Sequence, residues 1–177
     1  MKPIDPSAPA VSLRPSPWAL LGAFVPLYAL DQGTKLLVDR RFELGGSRVV
    51  VPGFFELLYS RNRGAAFGMF QGGGIFFLVL AVVAVVVLAV LWRRGAFAER
   101  WTAAGVCLLL PGILGNVTDR LARGFVIDFL SFDLHFPGAH PFATFNVADA
   151  CICVAVGCFL VGSFLEEKRR PRPAAGG

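Results

Sequence analysis

From Gly74 to Trp92 the chain reads GIFFLVLAVVAVVVLAVLW, without a single charged side chain, and Arg93 and Arg94 follow at once. A bilayer's hydrocarbon core near 30 Å takes about 20 such residues as a helix, so this run commits the chain to crossing a membrane. The rest of the composition agrees. Of 177 residues, 55% are apolar and 16% charged, against about 25% charged in a soluble domain. These proportions exclude an ordinary soluble fold, a disordered chain, collagen, a coiled coil and a small disulfide scaffold. They predict an all-α polytopic membrane protein of one domain with a net charge of +5.

Four windows serve as spans, at about 18–38, 74–92, 101–119 and 145–165. They divide the chain into a disordered N-terminal lead, 1–17, with Pro3, Pro6, Pro9, Pro15 and Pro17; a four-span domain, 18–165; and a basic tail, 166–177, ending KRRPRPAAGG. No small-residue cleavage site follows the first apolar run, so it is read as a retained span. Segments 1–17, 93–100 and 166–177 hold nine Lys and Arg in 37 positions, whereas 39–73 and 120–144 hold seven in 60. The denser set marks the cytoplasmic side. Both termini are therefore expected in the cytoplasm, with the two longer segments outside. Within 39–73, Arg48–Pro52 and Gly53–Tyr59 are β-favouring runs bounded by Pro and Gly, which predicts a small outer sheet between the first two spans. Cys107, Cys151, Cys153 and Cys158 all fall inside predicted spans and read as small packing residues.

An ionisable side chain at membrane depth costs several kcal/mol and calls for a function. This chain has few: Asp31 and Lys35 in the first span, Asn116, Asp119 and Arg120 ending the third, Asn146 and Asp149 starting the fourth, and Asp128 in the apolar stretch FVIDFL. With the termini inside, all of them fall in one layer near the outer interface. Asp31 and Lys35 sit four apart on one helix face and pair there; internal support and a grip on substrate suit them equally. Asn116 and Asp119 share a face, with Arg120 four along from Asn116, and structural support suits Asp119 because a neighbouring Arg keeps it ionised. Asp128 and Asp149 have no basic residue within four positions and lie among apolar side chains. Desolvation and mutual repulsion raise such carboxyls, and a pair sharing one proton is how aspartic proteases activate water. The same acids also suit a small proton- or ion-coupled transporter or binding protein, although nothing polar lies at the midplane, where a crossing path needs it. His135 and His140 stand in a loop; HExxH, G-x-S-x-G and phosphate-binding glycine motifs are missing. No metal site, cofactor or nucleic-acid partner is expected.

Five motifs in order, DQGTK at 31–35, RNRGAAFG at 61–68, GNVTDR at 115–120, VIDF at 126–129 and FNVAD at 145–149, resemble the lipoprotein signal peptidases, the type II signal peptidases of bacteria. The resemblance implies four transmembrane helices, an outer β-cradle and a short outer helix in the cytoplasmic (inner) membrane. It also implies an aspartic endopeptidase that cuts diacylglyceryl-modified prolipoproteins just before the lipid-bearing cysteine; a monomer among membrane lipids is expected. By motif match the catalytic pair is Asp128 and Asp149. Asn62, Gly64, Asn116, Arg120 and Asn146 take supporting and substrate-positioning places, with Asp31, Lys35 and Asp119 in the remaining charged positions. Asn62, Asn116 and Asn146 are candidate donors to the substrate backbone or the developing oxyanion, and the segment with Gly64, Gly68 and Gly72–Gly74 is a candidate lid. Arg63 stands where the family carries a small or polar residue, adding charge beside the expected site.

Overall fold

The computed structural model describes residues 16–64, 74–133 and 144–169. The lead up to residue 15, the tail from 170, most of the candidate lid (65–73) and both histidines lie outside the described residues. The described residues contain four long helices: α1 (Pro17–Arg41), α2 (Gly74–Arg93), α3 (Arg100–Arg123) and α4 (Val147–Arg169). Three of them, α2, α3 and α4, are both long and apolar enough to cross a bilayer. The fourth expected span, α1, has the length, at 25 residues, but Asp31 and Lys35 interrupt its apolar run.

The sheet departs from expectation. Its three antiparallel strands are β1 (Ser47–Val51), β2 (Phe55–Asn62) and β3 (Val126–Phe132), in that order. The sheet is therefore not confined to the segment between the first two helices: β3 comes from the chain after α3. Five of the seven residues of VIDFLSF are buried, on both faces of the strand, where an exposed strand would alternate. No short extra helix occurs among the described residues.

Each turn has a local cause. The carboxylate of Glu99 accepts the backbone N–H of Trp101 at 2.7 Å and of Thr102 at 3.3 Å, capping the start of α3. At its other end Gly124 adopts φ 76°, the left-handed conformation that ends a helix without Cβ strain, and sends the chain directly into β3. Asn146 and Asp149 form a reciprocal capping box at the start of α4. The Asp149 N–H donates to Asn146 Oδ1 at 2.9 Å, and the Asn146 N–H donates to Asp149 Oδ2 at 3.3 Å.

The central helix is α3, which packs on α1, α2 and α4. Its close approach depends on glycine. A Cβ at Gly112 would stand 2.7 Å from the Ala148 carbonyl oxygen, and one at Gly115 would stand 2.5 Å from Asp31 Oδ2 and 3.1 Å from Ala148 Cβ. Gly112, Gly115, Asn116 and Asp119 lie on one face at helical spacing, so the stripe that admits α4 and α1 also carries the polar groups to them. A second cluster, Val38, Tyr59, Ile127 and Phe129, joins α1 to the sheet beside that layer.

Replacing Gly115 by Ala is expected to lower stability by about 1–3 kcal/mol, the range for overpacking a closed contact. Gly22→Ala, where nothing lies within 4 Å, is expected to be neutral. Thermal unfolding of the purified variants in detergent checks both.

Candidate active site

Lys35 is fully buried, and its ammonium has three N–H donors. All three are used: Asp31 Oδ2 lies at 2.9 Å, Asp119 Oδ2 at 3.1 Å and Asn116 Oδ1 at 3.0 Å. The two carboxylates are completed by other donors. Asp31 accepts the Ala148 N–H at 2.8 Å and the Gln32 amide at 3.0 Å. Asp119 accepts the Ile127 N–H at 3.1 Å and pairs with Arg123. The cluster of Asp31, Lys35, Asp119 and Arg123 is thus neutral, and it ties α1 and α3 to the first turn of α4 and to β3. Here the structure corrects the sequence reading. The arginine that pairs with Asp119 is Arg123, one helical turn on, and not the adjacent Arg120. Arg120 instead donates to the Asn116 carbonyl at 3.3 Å and to the Gly64 carbonyl at 3.2 Å, with its guanidinium 4.8 Å from the centre of the Phe77 ring.

From Asn116 the network passes to the other two aspartates. Asn116 Nδ2 donates to Asp149 Oδ1 at 2.7 Å. Asn146 Nδ2 donates to Asp128 Oδ1 at 2.7 Å and to Asn116 Oδ1 at 3.2 Å. Asn62 Nδ2 donates to Asp128 Oδ2 at 2.9 Å. The direction of each amide is fixed chemically, because a group that can only donate meets its oxygen: Lys35 at Asn116, the Asp149 N–H at Asn146, and the Gly64 N–H at Asn62, 2.9 Å away. Each Nδ2 must therefore point at a carboxylate. Asn146 has both amide hydrogens engaged, which removes it from the expected set of oxyanion donors; among the described residues Asn62 and Asn116 keep one N–H each.

All ten residues singled out in the sequence join this one hydrogen-bonded layer: Asp31, Lys35, Asn116 and Asp119 at the charged end, and Asn62, Gly64, Arg120, Asp128, Asn146 and Asp149 around the opening. Sequence reasoning missed Gln32 and Arg123, although Arg123 stands at the i+4 spacing from Asp119 that marks a helix-face partner. Among the described residues no ion pair includes Asp128 or Asp149, and no three His, Cys, Asp or Glu side chains converge as a metal site would require. The four cysteines are unpaired thiols.

Asp128 and Asp149 line a cavity of about 710 Å³. Its polar end carries Asn62, Asn116 and Arg120; its walls are apolar side chains of α2, α3 and α4, such as Phe77, Leu80, Ile113 and Ile152. Burial pushes the Asp128 carboxyl up to about 7, and the nearby charge of Asp149 adds to the rise, while the bonds from Asn62 and Asn146 and the charge of Lys35 oppose it. Such a group holds a proton at mildly acidic pH and releases it near neutrality, as proton transfer in catalysis requires. Because its folded pKa lies above the unfolded value of 3.8, Asp128 contributes stability at low pH, and this contribution declines as pH rises from about 4 to about 7.

Asp128→Asn is expected to flatten that dependence and to melt higher than the native chain above pH 7; melting curves across this range test it. Lys35→Met leaves two buried carboxylates short of a cation and is expected to destabilise the fold by about 3–5 kcal/mol, measured the same way.

Known proteins resemble this chain in sequence and in fold. The family model described as signal peptidase (SPase) II matches residues 23–165. A lipoprotein signal peptidase of Geobacter sulfurreducens is 41% identical over 154 residues, covering 85% of this chain and 92% of its own; that of Gloeobacter violaceus is 38% identical over 160 residues, covering 90% and 88%. A bacterial membrane enzyme solved by the in meso method at 2.3 Å superposes with a TM-score of 0.83 at 23% identity, over 94% of this chain and all of that one, a likeness of fold. A second, at 1.9 Å, gives 0.75 at 25% identity over 86% and 97%. With a family model spanning most of its length and such relatives across it, the chain belongs to the signal peptidase II family.

Proposed function

We propose that this protein is a membrane aspartic endopeptidase that removes the signal peptide from diacylglyceryl-modified prolipoproteins, cutting before the lipidated cysteine, with Asp128 and Asp149 as its catalytic pair. The observation that carries the reading is the shared use of Asn146. Its side-chain amide holds Asp128 while its backbone N–H holds Asp149, so one residue fixes both carboxyls at the mouth of a cavity with apolar walls. One aspartate, ionised, takes a proton from water as that water attacks the scissile carbonyl. The other, protonated, hydrogen-bonds the carbonyl oxygen and later gives its proton to the leaving amine. The pair titrates jointly, and an Asp128 pKa near 7 leaves one proton to share at neutral pH. The spare N–H groups of Asn62 and Asn116 suit the developing oxyanion, a contact worth roughly 3–4 kcal/mol in other hydrolases.

The apolar walls suit the acyl chains and signal-peptide helix of such a substrate, which hold the scissile bond at the depth of the aspartates. In this reading α1 is the fourth membrane-spanning helix, because its internal charges are neutralised by partners on α3. The protein lies in the cytoplasmic membrane with both termini inside and the active site at the outer face. It acts as a monomer, since one chain supplies every polar group of the layer. Membership of a peptidase family sets the transporter reading aside.

Incubation of the purified protein with a synthetic diacylglyceryl prolipoprotein is expected to give a product whose mass corresponds to cleavage before the modified cysteine, and globomycin, the cyclic peptide inhibitor of the family, is expected to block it. Asp128→Asn and Asp149→Asn should each lower turnover by at least about a thousandfold while still inserting and folding. Native-like cleavage by either variant refutes the pair.

A further inference from the structure

Outside the ten-residue layer a second polar group has no assigned role. Tyr59 is only 2% exposed, its ring packed with Val38, Ile127 and Phe129. Its hydroxyl donates to Asp39 near the end of α1 and accepts from Arg61 Nε at 2.9 Å. Both directions follow from the partners, since a carboxylate can only accept and a guanidinium can only donate. Arg61 Nη2 lies 3.8 Å from Asp39, and the guanidinium sits 4.6 Å from the centre of the Phe125 ring, on the turn that leads from α3 into β3.

The position of this group along β2 is what matters. Leu57 pairs with Leu130 and Ser60 with Asp128: three steps along β2 match two along β3, so β2 holds one extra residue between them. A strand's side chains alternate, and one added residue moves everything beyond it to the opposite face. Asn62 lies beyond the irregularity, two residues after Ser60. Its amide reaches Asp128 only because the extra residue is there. Tyr59 sits inside this bulge, where its backbone bonds the other way: its N–H donates to the Gly46 carbonyl at 3.0 Å, and its carbonyl accepts the Gly45 N–H at 2.9 Å.

We propose that Tyr59, Asp39 and Arg61 are positioning residues that lock the β2 bulge and so hold the Asn62 amide on Asp128. The hydroxyl bond anchors the bulge to α1, and Arg61 ties the strand beyond it to Phe125 at the entry to β3. The two strands are thereby held in the offset register that the Asn62–Asp128 bond needs. The inference rests on Asp128 acting in catalysis, as proposed above.

A double-mutant cycle between Tyr59→Phe and Asn62→Ala, read on the lipidated substrate, tests it. Tyr59→Phe keeps the buried ring and loses only the hydroxyl. It is expected to lower kcat about three- to tenfold with KM within about twofold. It should also move the Asp128 inflection of the pH profile upward, in the direction Asn62→Ala moves it, because the Asn62 bond opposes the rise in the Asp128 pKa. Asp149 on α4, Lys35 on α1 and Arg120 on α3 face Asp128 in both variants, so their influence cancels in the comparison. The double variant should be no slower than Asn62→Ala alone, since a lock has nothing left to position. Losses that multiply, or an unchanged kcat and pH profile in Tyr59→Phe, overturn the proposal. If Tyr59→Phe does not fold, Asp39→Ala, at a side chain 35% exposed, enters the same cycle with the same expected and contrary results. Failure of the unmodified protein to cleave is read first and counts against the peptidase assignment, separately from the lock.

Discussion

A lysine ammonium with no access to solvent is the constraint from which the layer is built. Removing a charge from water costs several kcal/mol, and the cost is recovered only with close partners in good geometry. Lys35 has three N–H groups and meets three oxygens, on Asp31, Asp119 and Asn116. Its two carboxylates in turn take backbone N–H groups from Ala148 and Ile127. One side chain therefore demands that α1, α3, α4 and β3 meet at a single depth. Gly115 makes the meeting sterically possible, because a side chain there would occupy the space of Asp31.

The four aspartates of this layer, three buried and Asp149 half-buried, divide into two kinds. Asp31 and Asp119 each lie against cations, Asp31 against Lys35 and Asp119 against Lys35 and Arg123. Asp128 and Asp149 hold amides and backbone N–H groups, which orient a carboxyl without cancelling its charge. Lys35 reaches this second kind only through Asn116, whose oxygen it takes and whose Nδ2 it thereby turns toward Asp149. A charged cluster that holds the structure and a less charged pair free to exchange protons are thus joined by one asparagine. The division matches the chemistry of an aspartic peptidase, in which one proton must stay mobile.

Much of this layer is legible in the sequence alone. Apolar runs mark α2, α3 and α4, and the scarcity of polar residues in apolar stretches singles out eight members of the layer; Asn62 and Gly64 come only from the resemblance of RNRGAAFG to the family motif. What stayed hidden depends on distance in space rather than in sequence. The β3 strand is not legible because VIDFLSF carries large apolar residues on both faces and shows no alternation to reveal a strand. The partnership of Lys35 with Asp119 spans 84 positions, and no local pattern encodes it. Arg123 stands at i+4 from Asp119, a helix-face spacing that competes in the sequence with the adjacent Arg120. The bulge at Tyr59 leaves no mark in LLYSRN, since an extra residue is defined only against the strand it faces.

The central claim is that Asp128 and Asp149 are close enough in one poorly solvated site to govern each other's protons. Infrared spectroscopy of the protonated carboxyl band, followed through pH in the native protein and in Asp149→Asn, measures this directly. The account predicts a band that titrates near pH 7, is absent from Asp128→Asn, and shifts its midpoint to lower pH when the charge of Asp149 is removed. A midpoint left unchanged by Asp149→Asn, or no protonated carboxyl above about pH 5, would contradict it.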